Sequence, residues 1–125
     1  MRLDNDSKIL GRWFNVFDEM CRKNAVYFAN YVDIDLKDQL PGTMNMQRVT
    51  FDYNYYNNFE VSKVEFFRRE EVRRWVDAID SMHGIFKYRW SDAILRYLTL
   101  AGFAEQNEVL HKPDYVLPYC HKCRL

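Results

Sequence analysis

The chain has 125 residues, which is the length of one domain, and 48% of them are hydrophobic. Its 18 Lys and Arg residues balance its 18 Asp and Glu residues, which argues against a nucleic acid or an anionic membrane surface recognised by bulk charge. Aromatic residues make up 17% of the chain, enough for a sizeable core, and no apolar run is long enough to form a transmembrane helix.

The first half of the chain predicts one helix and two strands. Apolar residues recur at helical spacing over residues 11–24, which predicts an amphipathic helix. Residues 25–32 (AVYFANYV) are rich in aromatic and β-branched residues and predict a strand. A Pro-Gly pair lies within residues 33–48, where we expect a long surface loop. Residues 49–56 (VTFDYNYY) again predict an extended segment.

The second half predicts three helices and a short strand, so the chain is of the α/β class. Residues 61–67 and 72–79 keep helical spacing and predict two helical stretches. The stretch GIFKYRW that follows predicts an extended or irregular segment. Ser91 is predicted to cap the next helix, because its hydroxyl can accept from free first-turn amides, and Gly102 is predicted to lie near the C-cap. Residues 108–111 predict a strand, followed by an irregular tail.

Two aspartates, Asp4 and Asp6, lie one residue apart near the first residue. Carboxylates at this spacing can ligate Mg²⁺ or Mn²⁺, and such a cation neutralises the charge that develops on a diphosphate leaving group. Similar triplets are also common in solvated turns. The residues alone therefore leave both a metal site and an acidic turn open.

Glu60 follows a cluster of aromatic residues that includes Tyr53. A carboxylate among aromatic side chains is partly desolvated, so it can act as a base or a nucleophile. The alternative is a surface glutamate at the start of a helix, where the helix dipole favours negative charge.

The stretch YRWSDAI brings Arg89, Trp90 and Asp92 together in sequence. One interpretation is a sugar site, in which the indole face packs on C–H groups and the charged groups bind hydroxyls. The other is structural, with Trp90 in the core and Asp92 in the first turn of a helix.

The stretch CHKC holds Cys120, His121 and Cys123, with the cysteine spacing of a zinc or redox site. No second cysteine pair completes a four-ligand site, and three cysteines predict no disulfide framework. A small zinc-binding interaction module stays open as an alternative, and His121 can also serve as a single metal ligand.

Taken in order, these segments resemble glycosyltransferase family 15, the fungal α-1,2-mannosyltransferases. Residues 58–60 (NFE), 65–68 (EFFR) and 89–93 (RWSDA) are similar to the family's Asn-Phe-Glu, acidic-Phe-Phe-Arg and Arg-Trp-x-Asp-Ala patterns. Residues 2–6 (RLDND) resemble its Arg-x-Glu-Pro-Asp metal motif, and residues 119–121 (YCH) resemble its Tyr-Tyr-His. The resemblance extends from Arg2 to about Lys122.

The resemblance implies a partial GT-A domain. In this family the metal motif lies about midway through the catalytic domain, so residues 1–125 are expected to form its C-terminal half, with the N-terminal nucleotide-binding half missing. The implied activity is a metal-dependent, retaining transfer of a hexose from a nucleotide-diphospho-sugar, GDP-mannose first, to a hydroxyl of a glycan or glycoprotein acceptor. The family implies the Golgi or another secretory-pathway membrane.

The resemblance also implies roles for nine residues. The expected ligands of Mn²⁺ are Asp4, Asp6 and His121. The expected catalytic residues are Glu60, as nucleophile or charge stabiliser under the anomeric carbon, and Asp92. The expected substrate-binding residues are Arg2, Tyr53, Arg89 and Trp90.

The chain departs from the family pattern at several positions. YNYY stands in place of a Cys-His-Phe-Trp run, Tyr88 in place of an acidic residue, Ile94 in place of a proline and Arg96 in place of a histidine. These departures indicate a distant relative, and a non-catalytic fragment of such an enzyme is the further alternative.

Overall fold

The computed structural model describes residues 1–30, 32–34, 53–55, 57–88, 90–111 and 118–122, with the backbone alone for 32–34, 53, 54 and 121. The strands are β1 (Arg2–Leu3), β2 (Ser7–Ile9), β3 (Tyr27–Ala29), β4 (Val32–Ile34), β5 (Tyr53–Tyr55), β6 (Phe59–Ser62), β7 (Val109–His111) and β8 (Tyr119–His121). The helices are α1 (Val16–Arg22), α2 (Val64–Phe67), α3 (Glu70–Met82), α4 (Gly84–Tyr88) and α5 (Asp92–Phe103), with a 3₁₀ turn at Gln106–Glu108. Most of the predicted loop at 33–48 lies outside the described residues.

Four strands form the central sheet in the order β1-β6-β3-β7. Strand β6 is antiparallel to both neighbours, and β3 is parallel to β7. Strands β1, β3 and β7 therefore run in one direction, and their carboxyl ends share one edge of the sheet with the start of β6. We call this edge the carboxyl edge.

One row of paired residues crosses the whole sheet. Glu60 pairs with Arg2 on one side and with Ala29 on the other, and Ala29 pairs with His111. Paired residues project from the same face of a sheet, with neighbouring strands about 4.8 Å apart. Arg2, Glu60 and His111 thus share one face.

Two further ladders flank the sheet. Strands β2 and β8 are antiparallel, with Ser7 opposite His121 and Ile9 opposite Tyr119. Strands β4 and β5 are antiparallel, with Val32 opposite Tyr55. The tail was predicted to be irregular, so β8 corrects that prediction.

The sheet is covered on both faces, which explains why β3 is apolar throughout. Phe28 and Phe59 point to the face covered by α1, where they meet at edge-to-face geometry. Tyr27 and Ala29 point to the opposite face, where they pack with Leu100 of α5. No helix in the described ranges is long and apolar enough to cross a membrane.

The predicted first helix exists but begins later than residue 11. The Asn15 side chain caps α1 by accepting from the backbone N–H of Phe17 at 3.1 Å. Trp13 precedes this cap, and its ring packs 4.9 Å from the Phe59 ring instead of lying on the helix. The Ser91 cap is confirmed, because its hydroxyl accepts from the N–H of Ile94.

Two predicted segments were wrong, and one predicted helix end was correct. Val61 lies in β6 and not in a helix, so its spacing to Val64 spans a strand–helix junction. Gly84–Tyr88 forms α4 where an extended or irregular segment was predicted, and Gly84 is needed there because a Cβ would overlap the Trp90 ring. Helix α5 ends at Phe103 with Ala104 as its C-cap, so Gly102 lies near the C-cap, as predicted.

Candidate functional site

Arg2 joins two of the predicted site carboxylates at the carboxyl edge. Its Nε lies 3.1 Å from Asp4 Oδ1, and its Nη1 lies 2.5 Å from Asp92 Oδ2. Partial burial alone raises the pKa of Asp92, but the hydrogen bond and charge of Arg2 outweigh this, and the pKa is lowered. Asp92 is therefore ionised at neutral pH, although 64% of its side chain is exposed.

Asp4 is held in place by the start of β6. Asn58 Nδ2 donates to Asp4 Oδ2 at 2.5 Å, and the N–H of Asp4 donates to the carbonyl of Asn58 at 2.9 Å. The Asp4 carbonyl in turn accepts from the N–H of Ser7. The acidic triplet is thus a turn docked against the sheet.

Asp6 lies beside the end of β8. The N–H of Lys122 donates to the Asp6 carbonyl at 3.1 Å, next to the pairing of Ser7 with His121. Ser7 Oγ and the Tyr119 hydroxyl are 2.8 Å apart and fasten this corner. The fold therefore brings the backbones of Asp6 and His121 together, although they are far apart in sequence.

Glu60 is buried in the middle of β6, with a relative exposure of 4%. The Tyr27 hydroxyl donates to Oε2 at 2.6 Å, and Arg96 Nη2 lies 3.3 Å from Oε1. The Arg96 guanidinium also lies over the Phe67 ring, 4.6 Å from its centroid. The interpretation of Glu60 as an exposed helix-start residue was wrong, because the residue lies within a central strand.

Burial, together with the adjacent Glu60 charge, sets the state of the Tyr27 hydroxyl. Burial raises the pKa of Tyr27 most, and the charge of Glu60 and its hydrogen bond raise it further. The phenol therefore keeps its proton at neutral pH and acts as a fixed donor to Glu60.

Successive turns of α5 contact the neighbouring strands β1 and β6. Asp92 contacts Arg2 in β1, and Arg96, one turn later, contacts Glu60 in β6. The structure thus brings Arg2, Asp4, Glu60 and Asp92 to one side of the sheet. Arg96 and Tyr27 were missed from the sequence, because their role depends on the register of β3, β6 and α5.

The carboxyl edge also holds polar atoms without partners. Asn30 directly follows β3 at this edge, and its Oδ1 is buried with no hydrogen-bond partner; the same holds for Nδ1 of His111 in β7. Ligands of open α/β sheets bind at the carboxyl ends of parallel strands. A polar residue closing a buried apolar strand was the signal by which Asn30 could have been found.

Comparison with known proteins identifies the family. The family model described as glycolipid 2-alpha-mannosyltransferase, glycosyltransferase family 15, matches residues 12–124. The chain belongs to this family. The prediction made from the sequence is therefore confirmed.

Members of glycosyltransferase family 15 from two yeasts illustrate the relationship. The chain is 31% identical over 80 residues to probable mannosyltransferase KTR3 of Saccharomyces cerevisiae, covering 58% of this chain and 20% of that protein. It is 28% identical over 116 residues to O-glycoside alpha-1,2-mannosyltransferase homolog 3 of Schizosaccharomyces pombe, covering 86% and 29%. The chain thus spans less than a third of these relatives.

A solved structure shares the fold. Core-mannan synthase A from Aspergillus fumigatus, crystallised in an Mn/GDP form, superposes with a TM-score of 0.76 at 19% identity, over 96% of this chain and 41% of that one. The mixed helix–strand fold predicted from the sequence is therefore confirmed.

Of the other predicted substrate-binding residues, the structure describes the side chain of Trp90, which is not part of this cluster. Trp90 is 4% exposed, with its ring against Gly84, so it offers no open face for a sugar. Arg89 lies outside the described residues, and only the backbone of Tyr53, in β5, is described.

The metal donors predicted at the turn suit a divalent cation by chemistry. By residue type, Asp4 and Asp6 would supply hard oxygens and His121 an imidazole; the backbone of His121 lies on the neighbouring strand end. The described side chains include no preformed group of three or more His, Cys, Asp or Glu, and both Asp4 oxygens already accept hydrogen bonds.

The state of Cys120 argues against the zinc-binding alternative. Cys120 is disulfide-bonded, whereas Cys21 is a free, exposed thiol. A disulfide sulfur is no zinc thiolate, so the zinc alternative is not supported. The sequence predicted no disulfide framework, and the structure adds that Cys120 takes part in a disulfide.

Proposed function

We propose that the chain is the C-terminal half of a GT-A domain and carries part of a mannosyl-transfer site at the carboxyl edge. The observation that carries the proposal is the position of Arg2, which contacts Asp4 and Asp92 and pairs across the strands with Glu60. The carboxyl ends of parallel strands are the usual ligand edge of an α/β sheet. In the described part of the chain, β1 has no strand on its outer side, which leaves room there for a preceding strand.

The proposed reaction is retaining transfer of mannose from GDP-mannose to a hydroxyl of a glycan or glycoprotein. Support comes from the description of the matched family model and from the Mn/GDP form of core-mannan synthase A. The disulfide at Cys120 fits an oxidising compartment such as the secretory pathway.

Asp4, Asp6 and His121 would hold the divalent cation. When bound, the cation supplies Lewis-acid neutralisation of the diphosphate leaving group. Asp92, ionised and mostly exposed, would accept hydrogen bonds from sugar hydroxyls, and Arg2 would supply positive charge for phosphate oxygens.

We assign Glu60 the role of charge stabiliser, not nucleophile. A nucleophile needs an oxygen that can approach carbon, but Glu60 is 4% exposed, and Tyr27 and Arg96 hold its two oxygens inside the fold. A through-space charge needs no such access, and a fixed charge near developing positive charge favours the transition state.

The test measures mannose transfer from GDP-mannose to methyl α-mannoside by the reading frame extended upstream of Met1, with and without Mn²⁺. Glu60→Gln is expected to lower kcat by roughly a hundred- to thousandfold with donor affinity retained. Asp6→Asn is expected to weaken Mn²⁺ and GDP binding together, while the exposed Glu71→Gln serves as the matched control. Normal kcat in Glu60→Gln would refute the role of Glu60.

A non-catalytic fragment is the second candidate. The observation that favours it is the burial of Glu60. This residue is paired with Arg96, which replaces the family's histidine. An extended reading frame that binds GDP and Mn²⁺ but transfers no mannose would select this candidate.

A further inference from the structure

We propose that a cleft between α5 and β7 is a second binding site, for a neutral hexopyranose unit. The cleft has a volume of about 510 Å³ and is lined by residues that include Tyr55, Tyr97, Ala101, Gln106 and His111. This volume lies within the roughly 300–1,000 Å³ typical of small-molecule sites. That the hexose is mannose, in an acceptor glycan, rests on the proposed function.

Two tyrosine rings give the cleft a surface for sugar C–H groups. The rings of Tyr55 and Tyr97 lie 5.3 Å apart at an angle of 49°, and Tyr55 lies 5.1 Å from the ring of Tyr27. Burial and the neighbouring Tyr97 raise the pKa of Tyr55 to about 12. Its hydroxyl therefore stays protonated and able to donate at neutral pH.

Polar groups in the cleft match hydroxyls and not phosphate. His111 lines the cleft, and its Nδ1 is the buried nitrogen without a partner. A ligand hydroxyl can supply that partner once the ring turns about χ2, which relieves a cost of burial. Gln106 adds an amide, and Glu105 a negative charge, whereas the lining residues that the structure describes include no Lys or Arg. A nucleotide diphosphate would be repelled here, but a neutral sugar would not.

The cleft is separate from the Arg2–Asp92 cluster. Asp92 begins α5 and Ala101 lies nine residues later, so the two ends are roughly 13 Å apart along the helix axis. Tyr27 connects them, because its ring packs on Tyr55 and its hydroxyl binds Glu60. The cleft therefore suits a distal unit of an extended acceptor, not the donor sugar.

The chain itself provides the test, without Mn²⁺ or GDP. We would titrate it with α-1,2-mannobiose and measure binding by saturation-transfer NMR and calorimetry. Tyr97→Ala and His111→Ala are each expected to weaken binding at least tenfold. Phe86→Ala is the matched control, because Phe86 is 82% exposed and lies outside the cleft. GDP is expected not to compete.

A variant that fills the cleft provides a second test in case Tyr97→Ala or His111→Ala unfolds the chain. Ala101→Phe removes no existing contact and should occupy the cleft, so it is expected to abolish mannobiose binding while circular dichroism stays unchanged. No saturable binding by the parent chain, or binding that survives both Tyr97→Ala and Ala101→Phe, would overturn the proposal. Because the assay needs no transfer, its failure is distinct from failure of the proposed function.

Discussion

Replacing Arg96 by methionine is expected to destabilise the fold strongly. The change leaves Glu60 charged in the core with Tyr27 as its remaining partner, whereas a methionine still packs on Phe67. Removing one member of a buried ion pair costs about 3–5 kcal/mol. Arg96 is 28% exposed, so water can partly replace it, and we expect a loss near the lower end, about 3 kcal/mol.

A double-mutant cycle isolates the charge from the packing. Glu60→Gln keeps an oxygen for the Tyr27 hydroxyl and removes the charge, so its loss should be about 1 kcal/mol. In Arg96→Met with Glu60→Gln, no buried charge remains, and we expect part of the loss to be recovered, with a coupling energy of about 2 kcal/mol. Urea unfolding with an unchanged m-value is the assay.

Two outcomes would refute this reasoning. One is a loss in Arg96→Met within about 0.5 kcal/mol, the range of ordinary surface substitutions. The other is strict additivity of the two losses.

Three further predictions concern the same core. Tyr27→Phe removes a hydrogen bond to a carboxylate and should cost about 1.5–3 kcal/mol in urea unfolding. The pKa values of Tyr27 and Tyr55 are raised, the latter to about 12, so the folded state holds protons that unfolded tyrosines release near pH 10. The contribution of these two tyrosines to the free energy of unfolding should be fully present below about pH 10. Above that pH the free energy of unfolding should fall by about 1.4 kcal/mol per pH unit for each group. If Tyr27→Phe shows the same slope of this free energy against pH as the parent chain, the reasoning is contradicted. Gly84→Ala should lower stability by about 1–3 kcal/mol through overlap with Trp90, whereas Gly102→Ala, with open space around it, should raise it by about 0.5–1 kcal/mol; equal melting temperatures would count against the packing.

The elements that the sequence predicts correctly are those with local signals. Ser91 supplies a side-chain cap, and the apolar residues that follow it keep one helical face, so α5 could be predicted. The stretch from Phe59 to Phe67 could not, because β6 and α2 follow one another within nine residues and their apolar positions run together at helical spacing. A hydrophobic period measured across a strand–helix junction therefore identifies neither the strand nor the helix.

The contacts within the candidate site also could not be predicted from local sequence patterns. The residue types at Asp4, Glu60 and Asp92 indicate carboxylate chemistry, but they do not indicate which arginine each carboxylate contacts. Arg2 reaches Asp92 across 90 residues of chain, and Arg96 reaches Glu60 across 36. These pairings follow from strand register and from the placement of α5, which no local pattern contains. Three carboxylates crowded at one edge would repel one another, and the two arginines lie between them, so the cluster's net charge is about −1 instead of −3. A site balanced in this way can fold without a bound cation, and a cation that binds Asp4 must compete with Arg2 for the same carboxylate.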